Sequence, residues 1–181
     1  MVYYAGEKFA LTEQSIEIGD RVLHRIVALK SIKRYGVKPG DLGGFVERTD
    51  NLSRDGDCWV AKNAKVFEDA EVVGDALVTD NSEVQCKSSI AGSAYISGEA
   101  RIIGKSVVDG RAKVKGNAVV NSAIVTDDVT VKCNAVIKGV TLCGCITVKR
   151  SATVDGDVTL LSSDTISRNL FITNNHTQPH F

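Results

Sequence analysis

The sequence predicts an all-β fold, a single-stranded parallel β-helix of about six coils, and three observations support this prediction. Small residues recur every six positions, at Cys58, Ala64, Ala70, Ala76, Ser82, Ser88, Ala94, Ala100, Ser106, Ala112 and Ala118. A β-branched aliphatic residue stands two positions after each of them, at Val60, Val66, Val72, Val78, Val84, Ile90, Ile96, Ile102, Val108, Val114 and Val120. Turn-forming residues such as Gly74-Asp75 and Gly116-Asn117 separate the pairs. Each hexad therefore predicts a short strand with one apolar face, followed by a corner.

The shortness of these strands determines how the coils must be arranged. A strand of two or three residues cannot bury its apolar face alone, so neighbouring coils have to stack into a continuous core. The rhythm continues from Ala123 to Leu160 with two one-residue deletions, which brings the series to 18 hexads. Three hexads per triangular coil then predict about six coils, stacked about 4.8 Å apart.

The chain divides into three segments on this pattern. Residues 1–57 do not follow the hexad rule and are predicted to form short strands joined by turns. Within them, residues 37–47 carry Pro39 and three glycines, which predicts a turn followed by a close backbone approach. Because a solenoid needs an atypical end, residues 1–57 are predicted to form an N-terminal β-rich cap, residues 58–161 the β-helix, and residues 162–181 a tail.

Composition narrows the classes of function. The 22 basic and 22 acidic residues cancel, so no nucleic-acid partner is expected. No apolar run approaches the roughly 18 residues that a membrane span needs, and the N-terminus lacks a signal-peptide pattern, so no membrane partner is expected. The five cysteines form no Cys-x-x-Cys pair, which favours a reducing, cytoplasmic location. Cys143 and Cys145 lie close in sequence, but nothing completes a metal shell around them, so neither a metal nor a cofactor is expected.

The hexad series resembles the left-handed parallel β-helix of the hexapeptide-repeat proteins, and this resemblance, rather than the periodicity, implies left-handed coils. A closer similarity is to the YdcK-like proteins of enterobacteria and of phage and prophage genomes. The matching stretches are Leu23–Ile26, Gly40–Glu47, Asn51–Ser53 and Gly56–Val60, followed by repeats of the Ala-x-Val-x-Gly-Asn type. The similarity covers roughly residues 8–160 and weakens in the later repeats, where the glycines thin out. It implies the fold, a homotrimer and a phage or prophage setting, but no activity and no site residues.

Assigning the hexads to faces predicts a row of lysines. Every third hexad lies on the same face, and one face carries Lys113 and Lys115, then Lys132, then Lys149, with Arg111 at the adjoining corner. Three of these lysines occupy the same hexad position in successive coils. Like charges at this spacing repel one another unless the face is well solvated or meets an anion. These five residues are therefore the candidate site for an anionic small molecule, and a plain solvated face is the alternative interpretation.

Aromatic and aliphatic residues also point outward. Trp59 and Tyr95 lie on the lysine face but two coils apart, so we expect them to stack on one base only if a subunit boundary brings them closer. The other two faces carry outward apolar side chains: Phe67, Ile103, Val119 and Val136 on one, and Val73, Ala91, Val107 and Ile124 on the other. Such stripes predict surfaces covered by the N-terminal segment or by sister subunits of a homotrimer.

Three functions remain open from the sequence. A non-catalytic binding or scaffolding protein fits best. It is either a rigid trimeric scaffold or a module that binds an anionic small molecule, such as a nucleotide signal that a phage protein would sequester in counter-defence. The alternative is a hexapeptide-repeat acyltransferase with a coenzyme A donor, which would need a histidine near the coils as general base. Because His24, His176 and His180 all lie outside the repeat, enzyme activity is not expected.

Overall fold

A computed structural model describes residues 7–157, 159–168, 170 and 171. The predicted core position Val158, the histidines His176 and His180, and most of the predicted tail therefore lie outside the described residues. The described chain is all-β apart from two short 3-10 helices, Lys33–Tyr35 and Thr49–Asn51.

The strands form three sheets that run along the molecule. The long sheet contains β1 (Phe9–Ile18), β2 (Arg21–Ala28), β3 (Leu42–Val46), β5 (Lys65–Val66), β8 (Glu83–Val84), β11 (Arg101–Ile103), β14 (Val119–Asn121), β17 (Val136–Lys138), β20 (Thr153–Asp155) and β23 (Leu170–Phe171). The aliphatic sheet contains β6 (Glu71–Val72), β9 (Ser89–Ile90), β12 (Val107–Val108), β15 (Ile124–Val125), β18 (Thr141–Gly144) and β21 (Thr159–Ser162). The lysine sheet contains β4 (Trp59–Val60), β7 (Leu77–Val78), β10 (Tyr95–Ile96), β13 (Lys113–Val114), β16 (Thr130–Val131), β19 (Thr147–Val148) and β22 (Thr165–Ile166).

The chain visits the long, aliphatic and lysine sheets in turn, and from β3 onward all the paired strands are parallel. This arrangement confirms the predicted parallel β-helix. The lysine sheet alone has seven strands, so about seven turns stack rather than the predicted six. The solenoid exceeds the prediction at both ends. The seventh strand of the lysine sheet is β22, which pairs in parallel with β19 although it lies in the segment assigned to the tail, and at the other end β3 pairs in parallel with β5 and Leu52 forms a parallel bridge to Val72.

The two deletions in the hexad series fall at one corner of the coil. Paired residues are offset by 18 positions from Tyr95 to Lys113 but by 17 positions from Lys113 to Thr130. The corner between the long and aliphatic sheets absorbs the change, since Ser122 and Gly139 each turn it with a positive φ directly after β14 and β17. The inward positions of the neighbouring strands consequently stay in register.

The core is the predicted double column of small and aliphatic residues. Ala94 and Ile96, for example, are both 0% exposed, like nearly all their equivalents in other coils. Serine replaces alanine at three small positions without leaving a polar group unpaired. The hydroxyls of Ser82, Ser88 and Ser106 donate to the carbonyl oxygens three residues earlier, at 2.7, 2.8 and 2.6 Å. Each buried valine or isoleucine contributes about 1.5–3 kcal/mol, and this repeated burial holds the coils together.

The N-terminal hairpin of β1 and β2 extends the long sheet by antiparallel pairing and closes the end of the solenoid. Phe9 and Ile26 belong to the same buried cluster as the first coils. On the outer side of the sheet, Leu23 and Phe45 pack with Phe67, which is only 4% exposed. The prediction that the N-terminal segment covers part of an outward stripe is therefore confirmed for Phe67.

The predicted close backbone approach lies in β3. A Cβ atom on Gly43 would come within 2.5 Å of Cγ1 of Ile26 and 2.6 Å of the carbonyl oxygen of Val60. On Gly44 it would lie 2.5 Å from the carbonyl oxygen of Ala64. Glycine at these two positions is what allows the cap to lie directly on the first coil.

Candidate functional site: the outer face of the lysine sheet

Two columns of side chains point outward from the lysine sheet. Strand pairing places the first column in register, and it consists of Trp59, Leu77, Tyr95, Lys113, Thr130, Thr147 and Thr165. The second column lies two residues further along each strand and contains Ala61, Thr79, Ser97, Lys115, Lys132 and Lys149. Neither column contains an aspartate or a glutamate. The face is therefore apolar and aromatic near the cap and basic further along.

The predicted site residues fall into three positions on this face. Lys115, Lys132 and Lys149 stack in consecutive coils, and we call these three residues the lysine ladder. Lys113 lies beside the ladder in the first column. Arg111 lies at the corner before Lys113, where its guanidinium pairs with Asp128. The hydrogen bond to Asp128 is the main reason why the pKa of Arg111 is raised.

The outward lysines of this sheet, unlike Arg111 at its corner, are left without acidic partners among the described residues. Among the described residues, Lys113, Lys132 and Lys149 form no salt bridge. The long sheet is built differently, because its charges alternate from coil to coil. There the carboxylate of Glu83 lies 2.7 Å from Nζ of Lys65 and 3.7 Å from Nε of Arg101. The absence of such pairing on the lysine sheet leaves a positive surface that can accept an anion.

Lys115 connects the lysine ladder to the aromatic part of the face. Its Nζ atom lies 5.0 Å from the centroid of the Tyr95 ring, within the range of a cation–π contact. The ammonium group is thereby turned toward the cap. The first ammonium group of the ladder thus lies over the Tyr95 ring, although Lys115 itself belongs to the next coil.

A pocket of about 550 Å³ occupies the aromatic end of the face. Its floor comprises Trp59, Leu77 and Tyr95 from three successive coils, and its wall is the loop that leads from Tyr35 to Leu42. Trp59 and Tyr95 thus line one pocket within a single chain, although they lie two coils apart; that both stack on one base only across a subunit boundary stays a prediction. Leu77 lies between them in the same column and makes the floor continuous.

The loop that forms the pocket wall is fixed to the solenoid. The Tyr35 hydroxyl donates a hydrogen bond to the carbonyl oxygen of Asp75, and partial burial is the main cause of the raised pKa of Tyr35. Arg34 lies 3.4 Å from a carboxylate oxygen of Asp75 and donates to the hydroxyl of Ser93 at 3.0 Å. These contacts hold the wall in place, so the pocket is preformed. No sequence pattern predicts this pocket, because the Tyr35–Leu42 loop lies outside the repeat.

Polar groups stand at the rim of the pocket. Nζ of Lys62 lies 2.5 Å from a carboxylate oxygen of Asp80, and the pKa of Asp80 is lowered chiefly by this hydrogen bond. Asp41 accepts a hydrogen bond from the backbone N–H of Lys38 at 2.7 Å and is exposed. Thr79 is only 5% exposed and lines the pocket.

His24 lies in β2, paired with Ser15 and Val46 in the cap rather than in a coil. The described residues contain no group of three or more metal-ligating side chains and no helix long and apolar enough to cross a membrane. Comparison of the chain with protein-family models and with curated proteins finds no match. The outer face of the lysine sheet is therefore the strongest candidate site among the described residues.

Proposed function

We propose that this protein is a non-catalytic β-helical binding module whose ligand is an anionic small molecule held along the lysine sheet. The observation that supports the proposal is the contrast between two sheets of the same solenoid. The long sheet pairs Lys65 and Arg101 with Glu83, whereas the lysine sheet stacks lysines with no carboxylate in either outward column. A nucleotide signal that a phage-encoded protein sequesters is one ligand of this class.

Electrostatics explain why such a stack favours an anion. Adjacent rungs of the lysine ladder are separated by about one strand spacing, roughly 4.8 Å. Two unit charges at that distance repel by about 1 kcal/mol even in water, and more when water is displaced. A bound phosphate chain replaces this repulsion with attraction at every rung. The affinity should therefore be sensitive to salt.

Charge reversal in the lysine ladder tests the proposal. The double variant K115E/K132E should bind inorganic tripolyphosphate at least about ten-fold more weakly than the unmodified protein, measured by isothermal titration calorimetry at low salt. The matched control is K87E/K105E, which makes the same change in net charge. Lys87 and Lys105 are exposed and lie in adjacent coils at the corner between the long and aliphatic sheets.

Equal losses of affinity in the two double variants would show that only net charge matters and would contradict a site on the lysine sheet. No binding of tripolyphosphate by the unmodified protein would contradict the anion-binding proposal and favour the scaffold. Coenzyme A belongs in the same titrations, because the acyltransferase alternative requires it to bind. Purified protein that retains a small anion, and gains thermal stability from it, would support the binding proposal.

We also propose that the protein assembles as a homotrimer through the aliphatic sheet. Ile124 is 41% exposed and Leu161 is 73% exposed, and both point outward from this sheet. Val107 extends the same stripe toward the cap. Replacing Ile124 with Asp should shift the mass measured by light scattering from trimer to monomer. An unchanged trimer in I124D, or a monomeric unmodified protein, would contradict this interface.

A further inference from the structure

The pocket under the Tyr35–Leu42 loop has the form of a site for a flat ring. Leu77 and Tyr95 occupy the same outward position in adjacent strands, so their side chains lie side by side about one strand spacing apart. Trp59, in the same column, is 2% exposed and closes the end nearest the cap. A planar heterocycle that enters here would lie on an aliphatic and aromatic floor, and every nucleobase presents a face for such stacking.

The polar groups at the pocket suit the edge of a heterocycle. Thr79 lines the pocket and is only 5% exposed, so its hydroxyl is a polar group in the lining of the pocket. It can donate to a ring nitrogen or accept from an exocyclic amine. The exposed carboxylate of Asp41 is a second acceptor on the opposite, loop side of the pocket.

The pocket and the lysine ladder are parts of one continuous surface. Lys115 lies against the Tyr95 ring, which itself lines the pocket. Lys132 follows one coil later and Lys149 another coil after that. A ring stacked beside Tyr95 would therefore have its nearest ammonium group at its own edge and two more within about 10 Å beyond it.

We propose that the pocket is a nucleobase subsite and that the ligand is a nucleotide whose base lies on Leu77 and Tyr95 while its phosphates extend along the lysine ladder. This inference rests on the proposed function, because it assigns the ligand class of the same face. It adds that binding depends on a ring as well as on charge. It also predicts that the base contacts the region of the single tryptophan, Trp59.

The test compares ligands that share phosphates but differ in the ring. ATP, GTP, CTP, UTP and inorganic tripolyphosphate are each titrated into the unmodified protein, Y95A and K115E/K132E. The affinity of each nucleotide is then compared with that of tripolyphosphate for the same protein. At least one nucleoside triphosphate should bind about ten-fold or more tightly than tripolyphosphate and should change the fluorescence of Trp59, whereas tripolyphosphate should not. Y95A should remove the advantage of the nucleotide and leave tripolyphosphate binding unchanged. The matched control V119A truncates an outward residue of the long sheet and should change neither affinity.

The outcomes separate this inference from the proposed function. If tripolyphosphate binds and depends on the lysine ladder, but no nucleotide binds more tightly, the base subsite is wrong and the anion site stands. If Y95A weakens tripolyphosphate and nucleotide equally, Tyr95 acts only by holding Lys115, and the base subsite is again wrong. If neither class of ligand binds, both proposals fail.

Discussion

The Nζ atom of Lys8 lies 3.1 Å from the Sγ atom of Cys58, and both side chains are buried where the cap meets the first coil. The same ammonium donates to the carbonyl oxygen of Cys58 at 3.1 Å and lies 3.3 Å from the carbonyl oxygens of Asp55 and Gly56. These backbone acceptors belong to the segment that leads into the first repeat. Lys8 therefore fixes the cap to the start of the solenoid.

Replacing Lys8 with Met should destabilise the protein by about 2–4 kcal/mol, because it leaves buried carbonyl oxygens without their charged donor. The free energy of unfolding from urea titration measures the loss. Lys30→Met is the control, since Lys30 is exposed. Equal stability of the two variants would show that Lys8 does not hold the cap in place.

The five cysteines should differ sharply in reactivity. Burial raises the pKa of the Cys58 thiol, and the hydrogen bond from Lys8 opposes this only in part. The thiolate is the reactive form, so Cys58 should resist an uncharged alkylating reagent at neutral pH while the exposed Cys133 and Cys145 react. Peptide mass mapping after brief exposure measures the difference. Early modification of Cys58 would mean that the cap opens readily.

Gly43→Ala should destabilise the protein by about 3 kcal/mol or more. The added Cβ atom would meet the backbone of Val60 as well as side chains, and backbone cannot move aside cheaply. Gly19→Ala is the control, since Gly19 lies in a turn where an added Cβ meets nothing within 4 Å. Its φ of +62° still adds about 1–2 kcal/mol of strain in the variant. Thermal unfolding of the two variants gives the comparison, and similar melting temperatures would refute the close approach at β3.

Acid should weaken the corner beside the pocket. The pKa of Asp80 is lowered by the hydrogen bond from Lys62 and then by the backbone N–H of Gly98. A carboxyl whose pKa is lower in the folded state contributes stability above its unfolded pKa of about 3.9, and loses it as the pH falls through the folded value. The stability difference between the unmodified protein and Asp80→Asn should therefore shrink from pH 6 to pH 3, as measured by urea midpoints. Glu99→Gln, an exposed carboxyl one coil away, should show a smaller change, and a constant difference for Asp80→Asn would contradict the shift.

The periodicity of the sequence was sufficient to predict the coils and the lysine ladder, because both depend only on residue spacing. Lys115, Lys132 and Lys149 could be aligned without coordinates once the offset per coil was known. The pocket could not be found in this way. Its wall is the loop that Tyr35 ties to Asp75, a contact between residues 40 positions apart that follows no repeat. The strands beyond the hexad series were missed for a related reason. β3 lies on the first coil through glycines that carry no side-chain pattern, and before β22 Asp164 stands where the hexad would place a small residue.

The regular stacking of coils also constrains the distances between side chains along the lysine face. The distance between the pocket and each rung of the ladder is a whole number of strand spacings, so it changes only in steps of about 4.8 Å. Loss of one complete coil would leave every remaining side chain on its own face, while a single residue added within a strand would turn the outer columns inward. Distances along the lysine face are thus fixed by the architecture of the solenoid and not by individual side chains. For the proposed nucleotide, the number of coils between Tyr95 and the ammonium group of Lys149, more than any one side chain, would then set the length of phosphate chain that fits.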